Sequence, residues 1–228
     1  MSATQPSRVL LVGHGRMGRI VERLSGEYGF SVAGVVTSKT SNDWPDADVA
    51  VDFSVAEAVP VTIRALAPRR IPVVIGTTGW QASEAEVREL VRVHQSAVVA
   101  AANFALGVNI FLSIVDRAGA LFAARPEFGA WIHEAHHSAK RDAPSGTALA
   151  IKERLEQAGY ARPLDISSTR AGAIPGTHTL GFDSAAETIT LTHTTRDRSV
   201  FARGALEAAR WIQGRTGWFS MRDVVNGS

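Results

Sequence analysis

The chain has 228 residues, 45% of them hydrophobic and 20% charged, and its 24 basic and 22 acidic side chains leave a formal charge of +2. That length suits one large or two modest domains, and so even a balance of charge gives no footprint for nucleic acid. With no cysteine, disulfides, thiolate metal sites and cysteine nucleophiles are excluded. The opening MSATQPSR lacks an apolar stretch of signal-peptide length, and no uninterrupted apolar run approaches the roughly 18 residues of a membrane span. A cytoplasmic protein without a membrane partner is the expectation.

RVLLVGHGRMGRIVERL reads as strand, glycine turn and helix. Val9 to Val12 form an apolar run suited to a buried parallel strand, and Met17, Ile20, Val21 and Leu24 then return at helical spacing. FSVAGVV and ADVAVDFS are two more strands. Ser54 with Glu57, and Ser83 with Glu86, fit Ser-x-x-Glu capping boxes that open helices, the first bent at Pro60. IPVVIG lies between those helices as a strand, and AVVAAAN follows them as another. This alternation over the first hundred residues predicts an α/β fold built on a Rossmann-like, doubly wound parallel sheet. A long apolar helix is expected from about Ala105 to Arg125, ended by Pro126. Beyond Gly172 the pattern alternates, most clearly in ETITLTHTT, where Ile189 and Leu191 share one face and threonines the other. That predicts a second, α+β domain with a mostly antiparallel sheet. ARGALEAARWIQG reads as a final helix that can return to the first domain.

Gly13, Gly15 and Gly18 make G-x-G-x-x-G in the first turn, with His14, Arg16 and Met17 between them. The first glycine permits the turn, the second lets backbone approach a pyrophosphate, and the third allows helix and strand to pack closely. The helix start then offers unpaired N–H groups to the anion. An acid is expected at the end of the second strand to hold the ribose of NAD, but Thr37, Ser38 and Lys39 stand there. Hydroxyls and a lysine receive a 2′-phosphate where a carboxylate repels it, which predicts a modest preference for NADPH with NADH still used.

HEAHHSAKRDAPSGTA begins at His133 and contains His-Glu-x-x-His. On a helix His133 and His137 would share a face and could bind zinc; on a strand they lie about 13 Å apart. Pro126 and Gly129 before the stretch, and Pro144, Ser145 and Gly146 after it, favour the strand, so no metal is expected. Ser145, Gly146 and Thr147 sit where a loop enters a helix and can hold a carboxylate on their N–H groups. His136, His137 and Lys140 lie just upstream and add hydrogen-bond donors and a group that titrates near neutrality. His133 reads as a surface or packing residue.

EAHHSAKRDAPSGTA resembles the signature of the 4-hydroxy-tetrahydrodipicolinate reductase (dihydrodipicolinate reductase) family. GRMGR, DFS, VIGTTGW, AANFALGVN, RAGAIPGTHT and FSMRDV match further family blocks in order. The resemblance implies nicotinamide-dependent reduction of a cyclic dicarboxylate imine in lysine and diaminopimelate biosynthesis. It makes His136 the catalytic acid and Lys140 a second proton donor and carboxylate partner. His137, Gly146 and Thr147 become substrate contacts. Gly76, Thr77 and Thr78, with Ala101, Ala102, Asn103 and Phe104, fall on segments that touch the nicotinamide half of the cofactor. It also implies a homotetramer formed through the second sheet. The expected domains are 1–104, completed by 205–228, for the dinucleotide, and 105–204 for substrate and assembly. The chain is shorter than many relatives between Thr37 and Asp52, beside the adenosine end. A non-catalytic dinucleotide sensor would share the glycine turn but has no need of His136 and Lys140 together.

Overall fold

The computed structural model describes residues 5–40 and 43–227. The chain forms two compact units, 1–106 with 199–228, and 107–198. In chain order unit 1 opens with β1 (Ser7–Val12), α1 (Arg16–Leu24), β2 (Phe30–Val36), β3 (Val49–Asp52), α2 (Ala58–Leu66), β4 (Val73–Ile75), α3 (Glu84–Val93) and β5 (Ala97–Ala100). Next come α4 (Leu106–Ala123), β6 (Gly129–His136), α5 (Gly146–Gln157), β7 (Leu164–Arg170), β8 (Thr177–Asp183) and β9 (Thr188–Thr194). The chain then returns to unit 1 with α6 (Ser199–Trp211), β10 (Gly217–Phe219) and α7 (Met221–Asn226).

The first sheet is parallel throughout, in the order β10-β5-β4-β3-β1-β2. Its strands are apolar on both faces because helices cover both. Val9, Leu11, Val49, Val51, Val74 and Val99 pack with side chains of α1 and α6, while Leu10, Ala50, Val73, Ile75 and Val98 meet those of α2 and α3. Small residues let α6 close in: a Cβ at Gly204 would lie 1.6 Å from the Phe104 carbonyl oxygen. Strand order reverses between β1 and β3, which places a crevice at the carboxyl ends of those strands.

The second sheet runs β7-β6-β8-β9, with β6 and β7 parallel and the other two pairings antiparallel. Ala130, Ile132, Leu180 and Phe182 on its inner face pack against Phe111, Val115 and Ala118 of α4 and Ala148, Ile151 and Leu155 of α5. Its outer face carries hydroxyl pairs, Thr177 with Thr194 at 3.2 Å and Thr179 with Thr192 at 3.1 Å. Helix α4 is long and apolar enough to cross a membrane by length and composition. Part of it is nonetheless buried in this core, and its Asp116 pairs with Arg154 of α5 at 2.9 Å.

Two local expectations are corrected. Neither proposed capping box forms: Ser54 is drawn to Asp52, and Ser83 precedes α3 without a side-chain cap while Glu86 pairs with Arg64. Pro60 falls in the first turn of α2, where its missing N–H removes no helical hydrogen bond, so the reason for a bend disappears. A capping box does form at Ser220 and Asp223 of α7.

Candidate active site

In unit 1 the predicted cofactor residues follow the carboxyl ends of neighbouring strands. The glycine turn leaves β1, Thr37–Thr40 leave β2, Gly76–Thr78 leave β4 and Ala101–Phe104 leave β5. Gly13 has φ of +87°, donates its N–H to Val36 O at 2.8 Å, and has no room for a side chain: a Cβ would sit 2.6 Å from Phe53 O. A Cβ at Gly18 would lie 2.2 Å from Gly13 O. Gly15, the N-cap of α1, differs, because a Cβ there would meet nothing within 4 Å. Packing therefore requires the first and third glycines but not the second. The space over Gly15, at a helix start with no acid in its first turn, fits the approach of a pyrophosphate.

Arg16 begins α1, and His14 is held by Glu22 at 2.7 Å. Met17 packs on the core below. Ser38 and Lys39 are exposed in a turn closed by Thr40 N–H to Thr37 O at 3.0 Å. Phe104 is buried, its ring edge-on to Phe53, so that side chain belongs to the core. Asp52 was not among the predicted site residues. Wholly buried, it accepts from Ser54 N–H (2.9 Å) and from the hydroxyls of Ser54 (2.5 Å), Thr62 (2.9 Å) and Thr77 (2.8 Å). It thereby anchors the loop after β4.

In unit 2 His133 to His136 close strand β6, so His133 and His137 do not lie one helical turn apart and a zinc helix is ruled out. His133 hydrogen-bonds Ser167 at 2.9 Å, and His137 lies just past the strand. Alternation sends Glu134 and His136 to the inner face. Arg170 grips both oxygens of Glu134 (Nη1 to Oε2 at 2.9 Å, Nη2 to Oε1 at 2.6 Å), and Nδ1 of His136 bonds Oε2. Burial works against ionisation of Glu134, but hydrogen bonds from Arg170, Ser168 and His136 outweigh it and bring the carboxyl down to about 2. His136 lies below the usual histidine range because burial, helped by Lys140 and Arg170, overcomes the pull of Glu134.

His178 of β8 stands edge-on to His136 with ring centres 5.1 Å apart, and its Nε2 is 3.0 Å from Ser145 Oγ. Burial, reinforced by His136, pushes His178 down to about 4. Ser145 caps α5 by accepting from Ala148 N–H at 3.2 Å, and its own N–H reaches Glu134 Oε1 at 3.3 Å. Gly146 and Thr147 form the first turn of that helix. Lys140 pairs with Asp142 at 2.8 Å. Glu134, His136 and His178 hold ligand-type atoms within 4.8 Å of one another, the spacing of a metal site. The guanidinium of Arg170 already occupies both oxygens of the one carboxylate, so the cluster is read as an ion-paired hydrogen-bond network. Glu134, Arg170 and His178 were missed as site residues. Two signals were available: a glutamate two residues before a predicted acid on a strand, hence on the same face, and the block RAGAIPGTHT, which contains Arg170 and His178.

A glycine turn on a parallel sheet, with a second unit carrying a buried acid–base network beside a helix start, defines a two-unit nicotinamide-type oxidoreductase. The family described as "Dihydrodipicolinate reductase, N-terminus" matches residues 7–104, and "Dihydrodipicolinate reductase, C-terminus" matches residues 107–225. The chain belongs to the dihydrodipicolinate reductase family. It is 35% identical to the 4-hydroxy-tetrahydrodipicolinate reductase of Christiangramia forsetii, covering 96% of this chain and 97% of that one. To the protein of the same name from Xanthomonas euvesicatoria pv. vesicatoria it is 37% identical, covering 97% and 99%. The fold is similar to that of dipicolinate-bound dihydrodipicolinate reductase from Paenisporosarcina sp. TG-14, with a TM-score of 0.81, 19% identity, and 94% and 97% of the two chains covered.

Proposed function

We propose that this chain is a 4-hydroxy-tetrahydrodipicolinate reductase of lysine and diaminopimelate biosynthesis, with the cofactor on unit 1, the cyclic dicarboxylate on unit 2, and His136 as proton donor. The observation that carries the reading is within unit 2. Glu134 holds both the imidazole of His136 and the N–H of Ser145, so an acid and a carboxylate-ready helix start are fixed to one buried group. When bound, a reduced nicotinamide supplies the hydride.

Ser145, Gly146 and Thr147 receive a substrate carboxylate, with His137 and Lys140 as further donors. Lys140 exchanges Asp142 for that carboxylate. Once the 4-hydroxyl has left the substrate as water, the ring is a conjugated imine; hydride addition makes it an enamine, and His136 in its imidazolium form gives that enamine the Nε2 proton and is left neutral. Lys140 disfavours the imidazolium in the free protein, and a bound dicarboxylate offsets that effect, so substrate binding charges the acid. In unit 1 the turn from Gly13 to Gly18 cradles the pyrophosphate. Arg16, Ser38 and Lys39 flank the ribose end and give NADPH a modest advantage over NADH. Gly76, Thr77, Thr78 and the backbone from Ala101 to Phe104 border the nicotinamide half. The test is oxidation of each reduced nicotinamide coupled to freshly generated substrate; failure of both to turn over overturns the reading.

The threonine-lined outer face of the second sheet supports a homotetramer, because flat rows of hydroxyls can pair with a second such sheet. Light scattering at micromolar concentration tests it, and a monomer refutes it. The composition and the absence of cysteine support a cytoplasmic location.

A further inference from the structure

We propose that Glu134, clamped by Arg170, is a positioning residue that dictates which nitrogen of His136 carries the transferable proton. The inference rests on His136 being the acid. An imidazole acts as a directed donor only if its other nitrogen is committed elsewhere. Here Nδ1 faces Glu134 Oε2, and a carboxylate accepts only, so Nδ1 keeps its hydrogen in both charge states. The proton that comes and goes is then the one on Nε2. That edge of the ring faces Gly176: a Cβ there would lie 3.1 Å from Nε2, and the position has φ of +142°. Glycine keeps the Nε2 edge clear.

Arg170 makes the arrangement one-way. Left to itself, a wholly buried carboxyl beside a histidine takes up the proton and becomes a donor, and the tautomer is lost. The two-pronged guanidinium contact keeps Glu134 ionised, and Arg170 is itself tied to the carbonyls of Thr169 (2.8 Å) and Asp142 (2.6 Å). The charged and titratable groups acting on His136 come from every side. They are Glu134 on its own strand, Arg170 on β7, His178 on β8, and Lys140 in the turn after β6. Only Glu134 favours the imidazolium.

Glu134→Gln tests this directly. The amide oxygen is claimed by the charged Arg170, which turns the NH2 toward Nδ1 and reverses the neutral tautomer. Histidine 15N spectra of the wild-type protein without substrate should show His136 protonated at Nδ1 when neutral, and the variant should show it at Nε2. In the variant the high-pH loss of kcat/KM should begin about 1–3 units lower, the usual effect of removing an adjacent opposite charge. KM for the cofactor should stay the same, and Arg170→Lys should give a smaller shift in the same direction. A wild-type His136 that is protonated at Nε2 when neutral overturns the proposal, whether or not any variant folds. So does a folded Glu134→Gln with wild-type tautomer and pH profile. If instead His136→Gln keeps full turnover, it is the assignment of the acid that fails, and the spectra still judge Glu134 separately.

Discussion

Among the described residues, the strands of the first sheet bury apolar side chains and a single charged group, Asp52. The inner face of the second sheet buries Glu134, His136 and His178. In the proposed reading unit 1 therefore works with backbone at strand ends, where Gly15 leaves room for a ligand and one carboxylate anchors the loops. Unit 2, in the same reading, works with ionisable side chains inside the sheet, where the Glu134 charge is held by Arg170 because an unpaired buried charge is costly. Changes of residue type should accordingly act through space and dihedral angle in unit 1, and through protonation in unit 2.

The sharpest break of that contrast is His136→Gln. Loss of a general acid should lower kcat by about 10²–10⁴ with cofactor KM unchanged; steady-state kinetics with near-wild-type turnover would remove His136 from the reaction. Next, Gly13→Ala should destabilise unit 1 by on the order of 2–3 kcal/mol, since it forces a side chain at φ of +87° against Phe53 O. Gly15→Ala should leave the melting temperature nearly unchanged but weaken cofactor binding about tenfold or more, roughly 1.4 kcal/mol, by titration calorimetry. Equal effects of the two substitutions on stability would contradict the division of labour among the glycines.

Acid should then distinguish the units. His178 has a folded-state value of about 4 against an ordinary 6.5. A depressed histidine favours the folded state above its unfolded value, and that contribution is lost as pH falls from about 6.5 toward 4. Urea unfolding should show a loss on the order of 2 kcal/mol by pH 5, reduced in His178→Asn; identical pH slopes in the two proteins would refute it. The smallest effect belongs to Lys39→Ala. One exposed charge-assisted contact should change KM for NADPH less than about tenfold and leave that for NADH untouched, and added salt should mimic it. A wild type that prefers NADH, with both KM values unmoved by the substitution, makes Lys39 a solvated turn residue.

Local spacing was enough for much of this. Apolar runs, the glycine turn and the loop-to-helix turn at Ser145 depend on neighbours within a few residues, and the parallel sheet and the α5 start follow from them. The same reasoning failed at Ser54, because a buried carboxylate competes for its hydroxyl better than a helix end does. What no spacing determined was the surroundings of His136. Glu134 meets Arg170 across 36 residues only because β6 and β7 pair in parallel, with His136 opposite Arg170, and β8 brings His178 to the other side. A hydrogen-bond network inside a sheet is set by strand pairing and register. Those are decided when the whole inner face is buried together, so the sequence could point to His136 while only the tertiary structure decided what holds it.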